Sequence, residues 1–349
     1  MENLLSPAAI RAARIEHDTL RERDLAARLG IPEAALVAAE TGLSVTRIAP
    51  APERWLPLVK QLGEVMVLTR NESAVHEKIG HFEDLHPGKQ VSMTLGANID
   101  LRIFGSRFAH GFAVTKVQGE EVKRSLQFFD AEGHAVFKIH LRPASSVDAF
   151  DALVKELDLG DSSQAFHAVA PAKPETPAAT DVVDRDDLRQ RWQAMTDPHQ
   201  FFGLLKTLKI ERRAAIRAVG DDIAWPIDPA AIATLLDEAA LEGTELMCFV
   251  ANAGCVQIHT GTVQSIHRMG PWLNVMDPSF HLHLRQDHIA ELWGVRKPAD
   301  KGHVTSIEAY DAAGNLIIQF FGKRKEGLSE LESWRDLAER LPRAGAIAA

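Results

Sequence analysis

Apolar and polar residues follow two different periods along this chain. Between residues 8 and 41 leucines recur at helix-like intervals, at Leu20, Leu25, Leu29 and Leu36. Gly30-Ile-Pro32 interrupts the pattern, so this segment predicts helices joined by a turn. From residue 65 to 142 the period shortens to two, with turn signals such as Asp130-Ala-Glu-Gly133 between the apolar pieces. That pattern predicts a long run of strands.

The second half of the chain repeats this plan. Residues 71–142 align with residues 252–323 at a constant offset of 181, and 12 of the 72 pairs are identical. Unrelated sequences would share about four or five. The helical lead-ins also match, because Leu29-Gly-Ile31 faces Leu208-Lys-Ile210 at an offset of 179. We therefore expect an α+β protein with two structurally similar repeats, each a large antiparallel sheet with helices grouped to one side.

A change of composition separates the two repeats. Residues 165–180 contain three prolines and six alanines and have no hydrophobic period, which is typical of a linker. The expected organisation is an N-terminal repeat over 1–164, a Pro/Ala-rich linker over 165–182 and a C-terminal repeat over 183–349.

Composition and charge exclude several classes of protein. With 46% hydrophobic and 25% charged residues the chain is an ordinary globular one, and no uncharged apolar run approaches the roughly 18 residues of a membrane span. The 39 Lys and Arg against 48 Asp and Glu give a formal charge of −9, which disfavours broad nucleic-acid binding. The N-terminal residues predict no export, and two cysteines, Cys248 and Cys255, favour a reducing cytoplasm.

The segment around His199 is the best local signal for chemistry. Asp197 is a good helix N-cap and Pro198 suits the first helical position, so we expect His199 in the first turn of a helix. The positive end of the helix dipole disfavours imidazolium there, which favours the neutral form that a metal ligand needs. An apolar face suited to a flat hydrophobic ligand follows at Phe201, Phe202 and Leu205. The alternative is a surface histidine beside a cap, with core phenylalanines behind it.

Cationic residues form a second signal, since several stand at predicted strand ends and helix turns: Arg102, Arg212, Arg213, Lys297 and Arg324. Each alone is most often solvated, but gathered in a cleft they would bind a dianionic ligand, because Arg matches carboxylates bidentately.

The aligned repeats differ in their polar residues. His76 faces Gln257, Arg102 faces His283 and His199 faces Leu20, which suggests one principal ligand or two unlike ones. Drift after duplication is the alternative. His281 and His283 alternate on a predicted strand, where a solvated polar face is the more common reading than a metal site.

Six segments, in chain order, resemble the HemS/HmuS/ChuS/PhuS family of bacterial haemin-utilisation proteins: TRNESAVHEKIG (69–80), ANIDLRIFGSRFAHGFAV (97–114), MTDPHQFFGLL (195–205), WGVRKP (293–298), VTSIEAYDAAGN (304–315) and QFFGKRKEG (319–327). The resemblance covers nearly the whole chain. It implies a cytoplasmic protein, not membrane-embedded, that takes up haem from an inner-membrane ABC importer and passes it on, with a downstream haem oxygenase as a further partner. The family fold places haem in a cleft between sheet and helices.

The resemblance also implies roles for individual residues. His199 matches the proximal, axial ligand of the haem iron, Arg102 the arginine on the opposite haem face, and Phe104 an apolar wall residue. Positions that meet the propionates or line the cleft are matched by Arg212, Lys297, Gln319 and Arg324. His76 matches a histidine that some members use for a second haem.

Two departures from the family pattern change these expectations. Phe321 stands where members often carry tyrosine, so a phenolic hydrogen bond to a propionate is lost. His199 is the sole histidine of the 195–203 segment, so ligand exchange between neighbouring histidines is not expected.

Three functions follow from these observations. The first is a haem carrier that sequesters imported haem and passes it on. The second is an oxygenase that opens the porphyrin and releases iron. Its electron donor would be external, because the chain contains no Gly-x-Gly-x-x-Gly nucleotide-binding fingerprint. The third is a transcription-linked or partner-binding helper, for which the acidic balance makes direct DNA binding the weakest option.

Overall fold

The computed structural model describes residues 5–168, 184–324 and 329–345. These residues form two compact units. Unit 1 comprises the described residues within 1–70, 76–172 and 251–257, and unit 2 those within 71–75, 173–250 and 258–349. Most of the predicted linker, 169–182, lies outside the described residues, and its boundaries stay a prediction.

The N-terminal half contains five of the described α-helices and nine of the described strands. The helices are α1 (Pro7–Glu16), α2 (Glu22–Leu29), α3 (Glu33–Ala38), α4 (Pro52–Val59) and α5 (Val147–Leu157). The strands are β1 (Val45–Ile48), β2 (Gly63–Arg70), β3 (Ala74–Gly80), β4 (Leu85–His86), β5 (Ser92–Leu95), β6 (Asp100–Ile103), β7 (His110–Gln118), β8 (Glu121–Phe129) and β9 (Ala135–Ser145).

The C-terminal half repeats this sequence of elements. Its described helices are α6 (Arg185–Gln193), α7 (Gln200–Leu208), α8 (Arg212–Ala218), α9 (Ala231–Glu242) and α10 (Glu332–Arg340). Its strands are β10 (Ala224–Ile227), β11 (Leu246–Ala251), β12 (Cys255–Gly261), β13 (Ile266–Met269), β14 (Trp272–Met276), β15 (Phe280–Arg285), β16 (Glu291–Ala299), β17 (Gly302–Tyr310) and β18 (Leu316–Gly322).

Strand order is the same in the two halves. The N-terminal half contains the hydrogen-bonded run β1-β7-β8-β9-β2-β3 and the shorter run β4-β5-β6, and the C-terminal half contains β10-β16-β17-β18-β11-β12 and β13-β14-β15. The long hairpins are antiparallel and in matching register, with Val114 opposite Ser125 and Val295 opposite Ser306. The prediction of two similar α+β repeats is confirmed.

Two equivalent asparagines, one in each repeat, make the same side-chain hydrogen bonds. Within unit 2 the Asn71 side-chain amide donates to the carbonyl oxygen of Ile317 at 2.7 Å, and within unit 1 the Asn252 amide donates to that of Val136 at 2.8 Å. Both donors and both acceptors are separated by the offset of 181. Each asparagine oxygen also accepts from the backbone N–H groups two and three residues further on, which forms the turn.

Aromatic side chains fix the helices to the sheets. Trp55 of α4 is fully buried and stacks on Phe128 of β8, with ring centroids 4.7 Å apart. Trp192 of α6 is also fully buried, meets Phe201 of α7 edge-on at 4.7 Å, and donates to the carbonyl oxygen of Arg296 on β16. Burying side chains of this size contributes about 2–3 kcal/mol each. Phe201 therefore holds α7 in a fixed position against the sheet of its unit.

Candidate functional site

The turn before α7 presents His199. The expected N-cap, Asp197, does not cap the helix, because α7 begins at Gln200 with His199 as its N-cap residue. Asp197 Oδ1 instead accepts from the backbone N–H of His199 at 2.8 Å and lies 2.7 Å from His199 Nδ1. This local Asx turn competes with the helix for the carboxylate, which moves the helix start three residues past Asp197.

His199 and Phe202 face outwards from α7. The His199 side chain is 82% exposed and Phe202 is 69% exposed, whereas Phe201 is 1% exposed. Consecutive helical positions point about 100° apart, so one phenylalanine can anchor the helix while its neighbour stays available. An exposed imidazole and an exposed aromatic ring three residues apart are groups suited to a flat apolar ligand.

A buried carboxylate organises the cations of this unit. Glu308 on β17 has no exposed surface, and its two oxygens accept from Arg212 Nε and Nη2 at 2.9 and 2.7 Å. Lys297 Nζ donates to the same carboxylate at 2.7 Å, and two hydroxyl groups donate to it from Ser306 and Tyr310. Five donors satisfy one carboxylate, which makes its burial tolerable.

Neighbouring charges set the ionisation of this cluster. Burial acts to raise the pKa of Glu308, but Arg212 and Lys297 outweigh it and hold that pKa well below its ordinary value. Burial lowers the pKa of Lys297 to about 8, with Arg212 acting in the same direction and Glu308 against both. At neutral pH the cluster therefore holds two cations and one anion.

Sequence reasoning missed Glu308, although a signal was present. Glu308 is a charged residue in the strand segment VTSIEAY, whose other members are apolar or small, and it faces Gln127 across the repeat alignment. A lone carboxylate in such a strand needs a cationic partner.

The other predicted residues of the C-terminal half lie around this cluster or near the His199 turn. Gln319 of β18 is the cross-strand partner of Glu308, and its amide nitrogen is buried without a hydrogen bond to the described residues. The Phe321 ring lies 5.9 Å from Lys297 Nζ. Arg324 lies close enough to Asp197 to act on its carboxylate, whose pKa is lowered chiefly by the hydrogen bond from the His199 backbone and to a smaller extent by Arg324.

The predicted residues of the N-terminal half belong to unit 1. Arg102 on β6 is partly buried, pairs with Asp100 and donates to the carbonyl oxygen of Leu101 at 3.1 Å. Phe104 follows that strand, and its backbone N–H donates to the carbonyl oxygen of Gly254 at 2.9 Å.

The role of His76 as the site of a second haem stays a prediction. Its side chain lies on β3 with no exposed surface.

The side chains available as metal ligands fit a haem better than a bare metal ion. No cluster of three or more His, Cys, Asp or Glu side chains able to hold a bare metal ion occurs within residues 5–168, 184–324 and 329–345. His281 and His283 alternate on β15, as predicted. A haem brings four nitrogen ligands of its own and needs from the protein one imidazole, an apolar surface and cations for its carboxylates. His199, Phe202 and Arg212 match those three needs.

Comparison with known proteins assigns the chain to one family. The family described as haemin-degrading HemS.ChuX domain matches residues 30–157 and 209–341, once in each half. The chain belongs to this family.

Individual relatives match over almost their whole length. Hemin transport protein HmuS of Yersinia pestis is 37% identical over 330 residues, which cover 94% of this chain and 95% of that protein. The crystal structure of holo-PhuS, a heme-binding protein from Pseudomonas aeruginosa, is 40% identical with a TM-score of 0.94, covering 97% of this chain and all of the other. ChuS, described as an E. coli heme oxygenase, is 35% identical with a TM-score of 0.83, covering 91% and 95%. The family predicted from the six segments is confirmed.

No helix of the described residues is long and apolar enough to cross a membrane.

Proposed function

We propose that this protein binds haem and acts as a haem carrier in iron acquisition. The single observation that carries the proposal is the His199 side chain, which is 82% exposed and stands three residues before Phe202, itself 69% exposed. Family membership and the hemin transport and heme-binding relatives support the same ligand. His199 is accordingly the proposed axial ligand of the haem iron.

Arg212 links the apolar surface to the charged cluster. Its guanidinium carbon lies 5.1 Å from the Phe201 ring centre and 5.9 Å from that of Phe202. Glu308 engages Nε and Nη2, so among the contacts of the described residues Nη1 is left for a haem propionate. Lys297 is held deeper, at 3% exposure, and adds positive charge behind Arg212.

Gln319, Phe321 and Arg324 complete the proposed surroundings. The buried amide nitrogen of Gln319 is a donor without a partner in the described residues, and a propionate oxygen would satisfy it. Phe321 adds apolar surface, and Arg324 adds charge near the His199 turn. Arg102 and Phe104 belong to this proposal through the family resemblance, as an arginine and an apolar residue that contact haem.

A cytoplasmic location, uptake from an inner-membrane ABC importer and delivery to a haem oxygenase belong to this proposal. They rest on the family resemblance and on the buried cysteines Cys248 and Cys255, which are not joined in a disulfide and suit a reducing compartment.

Haem oxygenation is the second candidate function, because ChuS is described as a heme oxygenase. Bound haem supplies the iron at which O₂ would be activated. We favour the carrier. Reduction of the haem complex with catalase present should then give slow, largely catalase-suppressed haem loss, whereas fast, regiospecific, catalase-resistant product formation with stoichiometric iron release would establish the enzyme.

Replacement of His199 tests the haem-binding proposal. The His199→Ala protein should lose the Soret spectrum of histidine-ligated haem. It should also bind haem about 100-fold more weakly, a loss of affinity as large as the largest that follows from removing a residue that only supports a metal ligand. The matched control is His134→Ala, because His134 is also exposed, at 66%, and also adjoins an aspartate, Asp130. An unchanged spectrum and affinity in His199→Ala would sink the assignment.

A further inference from the structure

Asp197 holds His199 at two points. One carboxylate oxygen accepts the His199 backbone N–H at 2.8 Å and lies 2.7 Å from the ring atom Nδ1. The first contact fixes where the backbone of His199 runs, and the second fixes how its ring is turned. A side chain that is 82% exposed would otherwise rotate freely about χ1 and χ2.

The neighbouring residues keep Asp197 in place. Gln200 Oε1 accepts from the backbone N–H of Thr196 at 2.9 Å and of Asp197 at 3.4 Å, and the Gln200 amide donates back to Thr196 Oγ1 at 3.4 Å. Residues 196–200 thus close a turn with their own side chains, much as a capping box does. The carboxylate position is therefore built into the turn.

A second aspartate and histidine pair shows that sequence proximity alone does not produce this contact. Asp130 and His134 also share an exposed turn, and Asp130 Oδ1 likewise accepts the backbone N–H of His134, at 2.8 Å. There, however, His134 Nδ1 lies 3.5 Å from Asp130 Oδ2, which is beyond a good hydrogen bond. The 2.7 Å contact at His199 is specific to its own turn.

The contact decides which ring nitrogen faces a ligand. A carboxylate at 2.7 Å from Nδ1 accepts a hydrogen bond from it, so in the neutral imidazole Nδ1 carries the hydrogen and Nε2 keeps its lone pair. A carboxylate bound to the far nitrogen also makes an imidazole a stronger electron donor to a metal.

We propose that Asp197 is a positioning residue that fixes the tautomer and orientation of His199 and strengthens its electron donation to the haem iron through Nε2. The inference rests on the proposed function. Asp197 contacts His199 and not the ligand, so its effect is transmitted through the imidazole. Stronger donation stabilises ferric iron, which lowers the reduction potential of the bound haem.

Three variants test this role. Asp197→Asn keeps an oxygen that can accept from the His199 N–H but removes the negative charge, Asp197→Ala removes both, and Asp130→Asn is the matched control beside His134. The readouts are the iron–histidine stretching frequency of the ferrous complex by resonance Raman spectroscopy, the reduction potential and the haem affinity. Thermal melts of the haem-free proteins show whether each variant is folded.

We expect Asp197→Asn to lower the stretching frequency and raise the reduction potential, and Asp197→Ala to do so further, with affinity falling about ten-fold. Asp130→Asn should match the wild type in all three. If folded Asp197→Asn and Asp197→Ala proteins keep the wild-type frequency and potential, the inference is overturned while the haem assignment stands. A wild-type complex without an iron–histidine band would instead overturn the proposed function, and this inference with it.

Discussion

The two units place opposite charges on equivalent helices. In unit 1 the helices α2 and α3 carry Glu22 and Glu33, which pair with lysines of the sheet. Lys138 Nζ lies 2.6 Å from a carboxylate oxygen of Glu33 and 3.2 Å from one of Glu22. Lys116 also forms a salt bridge with Glu22. Burial acts to raise the pKa of Glu33, but Lys138 and Arg70 outweigh it, and the pKa is lowered. The lysines of this cluster are therefore neutralised by carboxylates from the helices.

In unit 2 the aligned helix positions carry no acid. Phe201 stands at the position of Glu22, Arg212 stands at the position of Glu33, and the carboxylate is on the strand as Glu308, where unit 1 has Gln127. The helices of unit 2 thus present aromatic and cationic groups, together with His199 at the position of Leu20.

The difference in side chains between the two units predicts where haem binds, which the shared fold alone does not. Both units share the order of elements and strands, so the fold alone would predict two equal sites. In unit 1 the cations of the sheet are already paired with Glu22 and Glu33, whereas α7 and α8 of unit 2 present the exposed ring of Phe202 and the cation of Arg212, which suit a flat dianion. We therefore expect unit 2 to carry the principal haem-binding side chains.

Removing the strand carboxylate should produce the largest effect on stability. In Glu308→Gln the buried Lys297 and the partly buried Arg212 lose their one salt-bridge partner among the described residues, and we expect a loss of about 3–5 kcal/mol in the free energy of unfolding. Glu33→Gln should cost less, because Lys138 keeps Glu22 at 3.2 Å. Urea unfolding of both variants measures the difference, and equal losses would contradict the comparison.

The second-largest expected effect is a dependence of stability on pH that comes from a histidine of unit 1. Burial, with help from Lys138, lowers the pKa of His140 in unit 1 to about 4, from an ordinary value of 6.5, whereas unit 2 has Phe321 at the aligned position. As pH falls from about 6.5 to 4 the unfolded chain binds a proton that the folded chain does not. Stability is therefore full above that window and falls within it, by about 2–3 kcal/mol from this residue.

His140→Phe copies the other unit and should remove that contribution. Denaturant unfolding at a series of pH values tests it, with the loss between pH 6.5 and 4 smaller in the variant than in the wild type. Parallel curves for the two proteins would show that His140 does not titrate as described.

The smallest effect concerns the ends of two equivalent helices. Gly30 ends α2 in the left-handed conformation with φ 65°, and Lys209 ends α7 with φ 51°, the one non-glycine residue with positive φ in the described part of the chain. Such backbone strain costs about 1 kcal/mol for a side chain with a Cβ. Lys209→Gly should stabilise the protein by roughly that amount and Gly30→Ala should destabilise it similarly, as thermal unfolding will show.

Much of the architecture follows from the sequence because it depends on periodic patterns. The leucines of 8–41 predicted two helices with a turn at Gly30, where the structure has three because α1 and α2 are separate, and the alternating segments of 65–142 predicted the strands β2 to β9. The offset of 181 predicted not just a second sheet but also the equivalence of Asn71 and Asn252, whose side chains make matching hydrogen bonds.

The site was less predictable because it depends on which side chains meet. The sequence placed Arg212 and Lys297 among solvated or ligand-binding cations, whereas both are paired with Glu308. No local pattern reveals the contact between Arg212 and Glu308, which are 96 residues apart. Asp197 was expected to cap a helix, and its competing bond to His199 depends on the rotamer of one side chain. His76 shows the same limit, since strand alternation alone did not reveal its full burial.

Hydrogen–deuterium exchange, with and without one equivalent of haemin per chain, tests most directly whether unit 2 carries the haem-binding helix. We expect slower exchange on haem binding over the His199 turn and α7, residues 196–208, and no change over α2 and α3, residues 22–38. The same experiment on His199→Ala should show no protection of either segment. Equal protection of both segments, or protection of 22–38 alone, would contradict the claim that the two units differ in function.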